Sequence, residues 1–488
     1  MDLVVNHTSH EHEWFLASRE SQDNPHSDWY HWRDPKGWDE TGQPIRPNNW
    51  RGAFGGSVWT YASERKQFYL HLALSEQPDL NWFNEETRRA VYRSAIESWL
   101  KKGIDGFRVD VVNFYWKELT FPDARIVLPD EEFQPMEPQF VLNGPRMHEW
   151  LQEQRKEVLD KYGKDVFLVG ELPGTGKEES LRYLDPKHRE LDTVFDMDIF
   201  MAGNTFDTAL HDMKRPKLTE IKQAIAKTQA YIDQGVGWPT VFLESHDYSG
   251  SVSRFRPGPG QHQVAAARML AMLVCTLSGT LFMYQGQEIG MTGVPRDWRT
   301  ENFRDRAILK YLEQMDEQYS NNEAMKKMAF AAAVAYSRDN ARTPMQWSTE
   351  LNAGFSNVRP WIRLNESYLE GVNVASQLGD DHGVLEFWRN MLKLRQQHGG
   401  TFIHGHFRLL DEENEEVLSY VKSSHDVSMP RVVVHLNFTS KEQQVKFDGS
   451  EKARLQLLVS SASEHYQSVN DVLGPWEGRT YIVHDHYE

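Results

Sequence analysis

Several short apolar runs in this chain end in side chains that can hold charge or move protons. Asp2-Leu-Val-Val-Asn-His7 ends on Asn6 and His7, and Gly106-Phe-Arg-Val-Asp110 carries Arg108 and Asp110. Val166-Phe-Leu-Val-Gly-Glu171 ends on Glu171. Glu244-Ser-His-Asp247 supplies His246 and Asp247, and Thr280-Leu-Phe-Met-Tyr284 leads into Gln287 and Glu288. Extended chain alternates faces, so Arg108 and Asp110 share one. A guanidinium beside a carboxylate favours its ionised form, and an ionised carboxylate fixed in place is a competent nucleophile. Glu171 closes an apolar run, with Gly170 leaving room beside it. A carboxyl in apolar surroundings is more readily held neutral, which a general acid requires. One charged and one neutral carboxyl across a single pocket is the layout that breaks a glycosidic bond. The chain has 71 acidic residues, most of which must be solvated surface groups. What sets these apart is their recurrence at successive run ends, beside Arg and His.

Parallel strands alternating with helices would present such ends together. The spacing predicts strands over residues 2–6, 104–110, 166–171, 192–196, 240–244 and 280–284. Between them it predicts helices over about 84–102, 147–162, 217–233 and 261–278. Asn84 is a good N-cap, followed by Glu85 and Glu86 at the positive end of the helix dipole, and Gly103 follows two lysines as a stop. Residues 8–82 are polar, aromatic and aperiodic, which reads as a small irregular subdomain inserted after the first strand. From about residue 400, runs such as Val432-Val-Val-His-Leu-Asn-Phe438 come at short spacing without helices between, the pattern of an antiparallel β domain. Six strands of the α/β type slightly favour an open doubly wound sheet over a closed barrel, which needs eight. Polar residues gathered at strand C-termini favour the barrel.

Composition narrows the function classes. The 488 residues carry 54 Lys+Arg against 71 Asp+Glu, a net charge of −17 that repels phosphate backbones and anionic lipids. No apolar run approaches the length of a membrane span. The single cysteine, Cys275, excludes a disulfide framework and a cysteine-based zinc site. The 58 aromatic residues (16 Trp, 18 Tyr, 24 Phe) suit sugar rings, although most must pack the core. Gly174-Thr-Gly-Lys177 lacks the Ser or Thr that a phosphate loop needs after lysine. His7, His10 and His12 do not form a zinc-binding helical pair, and no metal or cofactor is expected. Lys214-Arg-Pro-Lys217 reads as a solvated turn.

These segments resemble, in order, the four signature segments of the α-amylase superfamily of glycoside hydrolases: residues 2–7, 106–110, 169–171 and 244–247. Gln77-Pro-Asp-Leu-Asn81 resembles the fifth, in the form typical of the oligo-1,6-glucosidase subfamily. Ala341-Arg-Thr-Pro-Met-Gln-Trp347 and Pro475-Trp-Glu-Gly478 are similar to that subfamily's fungal maltases and isomaltases. The resemblance implies a (β/α)8 TIM barrel over 1–7 and 83–398, an inserted domain B over 8–82, and a C-terminal antiparallel β-sandwich domain over 399–488. It implies Asp110 as nucleophile, Glu171 as acid/base and Asp247 as the residue that holds ring hydroxyls and stabilises the transition state. His7 and His246 would bond the bound glucose, Arg108 would support Asp110, and Arg342 would grip the terminal glucose. The reaction would be hydrolysis of terminal α-1,6 or α-1,4 glucosidic bonds of short oligosaccharides, isomaltose or maltose, with retention. In the subfamily, valine after the nucleophile goes with α-1,6 bonds and threonine with α-1,4; here it is Val111.

The chain departs from the pattern at Ser245, where the family usually has asparagine. In the family the segment at 2–7 ends the third barrel strand, so two βα units, on the order of 100 residues, are expected to be absent upstream. The expectation is therefore an incomplete barrel from a fragment or a wrongly started gene model, with an inactive truncation product as one alternative. A sucrose isomerase or transglucosidase on the same scaffold is another. A binding protein like the transporter heavy chains that resemble this family would lose catalytic residues and carry a membrane anchor, which this sequence does not. The lone cysteine points to the cytoplasm. Asn6, Asn365 and Asn437 head sequons, with Asn6 expected inside the pocket.

Overall fold

The computed structural model of the chain describes every residue except 130, 164, 205–207, 209, 234, 236, 249, 257–261, 296, 427, 448–453, 463–470 and 485–488. It divides into two compact units, Met1–Asp198 and Ile199–Glu488.

In the first unit four parallel strands lie side by side in chain order. They are β1 (Asp2–Leu3), β2 (Gly106–Val109), β3 (Phe167–Leu172) and β4 (Thr193–Asp196). Their connections carry helices, as parallel pairing requires. The first begins at Asn84, whose side chain accepts from the amides of Glu86 and Thr87 as the sequence predicts. It runs through a π-helical turn at Tyr92–Glu97. Helices Met147–Glu157 and Lys177–Leu184 follow. Register is fixed by pairs such as Asp2↔Arg108, Phe107↔Leu168, Arg108↔Val169 and Glu171↔Phe195. Strands β2 and β3 can approach because position 106 is glycine: a Cβ there would stand 2.0 Å from the Phe167 carbonyl oxygen.

The region after β1 is more ordered than its aperiodic sequence suggests. It holds a helix, Glu13–Glu20, and a three-stranded antiparallel sheet of Trp32–Arg33, Gln67–Leu70 and Trp59–Ala62. Its core of Trp50, Val58, Trp59, Phe68 and Leu70 is completed by Phe121, Val141 and Leu142, and Trp50–Arg51 pairs with Gln134–Pro135. A second segment, from the range the sequence gives to the barrel, therefore packs with residues 8–82. A subdomain this small gains a core by recruiting apolar surface from elsewhere in the chain.

In the second unit β5 (Thr240–Val241) pairs in parallel with β6 (Thr280–Leu281). These ladders, like that of β1, are shorter than the sequence predicts, because the chain leaves the sheet before the polar residues begin. Five antiparallel strands follow, in the order His406–Leu410, Val417–Ser423, Arg431–Asn437, Gly478–Val483 and Leu455–Ser460. A separate pair joins Gln443–Gln444 to Val472–Leu473. The helix Gln263–Thr276 is buried from Ala266 to Thr276. It packs in one core with Phe387, Trp388 and Met391 and with Leu418, Tyr420, Val434 and Leu436 of the antiparallel sheet.

Candidate active site

The register of β2 against β3 decides the geometry in the first unit. Arg108 pairs with Val169 and Val109 with Gly170, so Asp110 comes level with Glu171 one step later. Neighbouring strands stand about 4.8 Å apart and period two puts Arg108, Asp110 and Glu171 on one face. The Arg108 guanidinium bridges them. Its Nη1 donates to Asp110 Oδ1 and its Nη2 to Glu171 Oε2 at 2.6 Å. All three side chains are largely buried, at 16%, 21% and 11% exposure. Burial works against the guanidinium's charge, but the Glu171 and Asp110 carboxylates outweigh it and raise its pKa. The sequence assigns Arg108 to Asp110 alone; in the structure one cation serves both acids.

Val111 also belongs to this cluster. Its amide donates to Glu171 Oε2 at 3.2 Å, and its backbone sits in the left-handed region at φ 34 and ψ 49. A β-branched residue there is a strained outlier of the kind that gathers at functional sites. The turn that forces it aims the residue-111 amide at the carboxylate.

The same unit holds a buried cluster the sequence analysis did not identify. Asp79 and Lys117 are fully buried and paired at 2.9 Å. Asn6 joins them, its Nδ2 donating to Asp79 at 3.1 Å and its Oδ1 accepting from Lys117 at 3.0 Å. Desolvation lowers the Lys117 pKa and the Asp79 charge offsets only part of that. The neighbouring His7 has its Nε2 2.9 Å from Gln77 Nε2, and the backbones of His7 and Asp79 form a bridge. The first and fifth signature segments are thus tied together. Asp79 lies inside the quoted motif, but nothing in one dimension points to Lys117.

In the second unit Asp247 stands at the tip of the loop after β5. His246 Nε2 lies 3.2 Å from Asp247 Oδ2, and Arg342 Nη2 reaches Oδ1 at 3.5 Å while its Nε donates to the His246 carbonyl at 3.2 Å. Arg338, which sequence reasoning missed, is nearer still, with Nε 3.0 Å from Asp247 Oδ1. Its signal was available: it precedes Arg342 by four residues, at the start of the short 3-10 segment Arg338–Ala341 that Arg342 caps. The loop's base is Glu244, whose Oε1 accepts from both the amide and the hydroxyl of Ser251, at 2.7 and 2.6 Å. A cavity of about 1400 Å³ elsewhere in this unit is lined by residues such as Arg254, Tyr336 and Phe330, and by none of His246, Asp247 or Arg342.

All three sequon asparagines are buried, at 4% (Asn6), 7% (Asn365) and 0% (Asn437), and each side chain is hydrogen-bonded. No helix among the described residues is long and apolar enough to cross a membrane.

The profile of the alpha-amylase catalytic domain matches residues 1–405. The chain belongs to the alpha-amylase family of glycoside hydrolases. Among this family's curated members it is 39% identical over 495 residues to an alpha-glucosidase of Candida albicans, covering 99% of this chain and 83% of that protein. It is 38% identical over 488 residues to an oligo-1,6-glucosidase of Saccharomyces cerevisiae and to one of Parageobacillus thermoglucosidasius, each covering 99% of this chain and 82% of the relative. Among solved structures it matches a Bacillus licheniformis trehalose-6-phosphate hydrolase with a TM-score of 0.85 at 32% identity, covering 99% of this chain and 83% of that one. It also matches an isomaltulose synthase from Erwinia rhapontici with a TM-score of 0.86 at 29% identity, covering 99% and 82%. The barrel with a C-terminal antiparallel sheet, expected from the signature segments, is this alpha-amylase family fold.

Proposed function

We propose that the chain hydrolyses terminal α-glucosidic bonds of short oligosaccharides by double displacement with retention. Asp110 attacks the anomeric carbon while Glu171 gives its proton to the leaving oxygen; Glu171 then takes a proton from water, which releases the sugar from Asp110. The observation that carries this reading is the level register of Asp110 and Glu171 on adjacent strands. That spacing suits the roughly 5–5.5 Å between carboxyl groups of retaining enzymes, not the wider gap of inverting ones. Arg108, bonded to both acids, fixes their aim. Asp247, clasped by Arg338 and Arg342, is assigned to the sugar's hydroxyls and to the charge that develops on the ring. His7, His246 and Arg342 are assigned to holding the glucose. Val111 favours isomaltose-type α-1,6 bonds over maltose. The domain organisation that goes with this is a barrel over 1–7 and 83–398, domain B over 8–82 and a β domain over 399–488. The acidic surface fits a neutral sugar substrate with neither nucleic acid nor membrane as partner, and the buried single cysteine fits the cytoplasm.

The deciding experiment incubates the purified chain with isomaltose, maltose and sucrose and follows the products by proton NMR. α-Glucose forming first from isomaltose supports the reading. β-Glucose first, or no release of glucose, overturns it. Isomaltulose or trehalulose from sucrose would instead identify an isomerase, the activity named for several of the matched structures. The 37–39% identity to glucosidases favours hydrolysis.

A further inference from the structure

We infer that Asn113 is a positioning residue for the acid/base: it pins the turn that follows the nucleophile across the strand end that carries Glu171, and so keeps the Val111 amide on the Glu171 carboxylate. The inference rests on the glucosidase reading above and deepens its account of that one site.

The 3-10 turn Val112–Phe114 begins just past Asp110 and Val111, and the Phe114 amide donates back to the Val111 carbonyl at 3.0 Å. This turn rides over the end of β3 at three successive points. Before Glu171, the buried Val112 lies so close to Gly170 that a Cβ there would stand 3.1 Å from its Cγ1. At Glu171, the Val111 amide donates to Oε2. After Glu171, the buried Asn113 donates from Nδ2 to the Pro173 carbonyl and to Thr175 Oγ1, both at 2.9 Å. A carbonyl can only accept, which fixes the end of the Asn113 amide that faces Pro173. The pin is itself braced. The Asn113 carbonyl accepts from the Asn143 amide at 3.0 Å, and Asn143 Nδ2 donates to Thr175 Oγ1 at 3.2 Å. The Tyr183 hydroxyl, on the helix Lys177–Leu184, donates to Asn143 Oδ1 at 3.0 Å.

The middle contact is the one that needs holding. A valine in the left-handed region persists only where its surroundings over-determine it. On one side of Val111 stands Asp110, its amide bonded to the Leu3 carbonyl at 3.0 Å; on the other stands Asn113. Release of Asn113 lets residue 111 return to an ordinary backbone, and its amide swings off Glu171. What is at stake chemically is the place of the acid's proton. Glu171 Oε2 accepts from both Arg108 Nη2 and the Val111 amide. An oxygen that accepts two hydrogen bonds is the poorer site for a proton, so the acid carries it on Oε1. Without the amide the carboxyl is free to turn and the proton to sit on either oxygen, which weakens its transfer to the leaving group.

The test compares isomaltose, whose leaving sugar needs the proton from Glu171, with 4-nitrophenyl α-glucoside, whose leaving group needs little of it. Asn113→Ala should lose about 10²-fold in kcat/KM on isomaltose, the scale of a 1 Å misplacement, and clearly less on the aryl glucoside. Thr175→Val keeps the bond to Pro173 and should show the same selectivity with a smaller loss; it decides the matter if a urea melt shows Asn113→Ala to be unfolded. Equal losses on the two substrates, or no loss on either, overturn the inference, because an asparagine that only stabilised its loop would not distinguish leaving groups. A stability cycle separates this from failure of the glucosidase reading. With or without hydrolysis, Val111→Gly should shift the urea midpoint more favourably in the otherwise unaltered chain than alongside Asn113→Ala or Thr175→Val, where the pin is broken or weakened. Additive shifts overturn the inference by themselves.

Discussion

Replacing Arg108 by methionine tests the central geometry most directly. The side chain keeps much of the stem volume and loses the fork. Two charge-assisted bonds disappear, one to Asp110 and one to Glu171. Each such bond is worth about 1.5–3 kcal/mol, so about 3–6 kcal/mol of support goes from the pair. If all of it acts on the transition state, kcat/KM on isomaltose falls by about 10²–10⁴-fold, at a tenfold loss per 1.36 kcal/mol. Lysine at the same position restores the charge but not the fork and should recover only part of the loss. Kinetics on isomaltose across pH 4–8, with a urea melt to establish folding, are the measurements needed. A folded methionine variant within about threefold of the unaltered chain would refute the shared-guanidinium argument; threefold is only about 0.65 kcal/mol.

Other outcomes follow from features described above. Val111→Thr should raise maltose turnover relative to isomaltose by about 10-fold or more, the worth of one group at the leaving sugar; an unchanged ratio in parallel assays would reject the linkage handle. Lys117→Met should cost about 3–5 kcal/mol in urea unfolding, because it strands a buried Asp79, whereas Asp79→Leu with Lys117→Met should recover most of that. His148 lies between Glu190 (2.6 Å) and Glu179 (3.0 Å). Burial depresses its pKa, but the two glutamates outweigh burial and raise it above 6.5. Its stabilisation is therefore complete below pH 6.5 and is lost as pH climbs through the raised value. Melting temperature should fall over that window in the unaltered chain and stay flatter in His148→Gln.

The candidate catalytic residues stand out in the sequence because their types break the apolar runs that contain them. Asp110, Glu171 and Asp247 each follow a short hydrophobic stretch, and strand periodicity alone put Arg108 beside Asp110. What could not be read was anything set by register. Nothing along the chain says that Arg108 faces Val169, and that one pairing puts Glu171 on the same guanidinium. Nor does spacing reveal Lys117 beneath Asn6 and Asp79, since a lysine in a polar stretch is ordinarily solvated. The left-handed backbone of Val111 was equally hidden, because valine is a residue that local propensity would never put there. The packing of the segment around Phe121 and Val141 was hidden for a related reason. Its apolar residues are too scattered to show a period, and they became core only by meeting Trp50 and Phe68.

From Ala266 to Thr276 the helix Gln263–Thr276 has no wet side. Sequences of this kind cannot serve as an outer wall, and here the antiparallel strands near the C-terminus supply the cover. Those strands are accordingly part of the same folding unit and not a detachable accessory. Trimming the chain before His406 would lay bare Leu270, Met272 and Leu273 together, and the shortened product would be expected to clump before any sugar reached it.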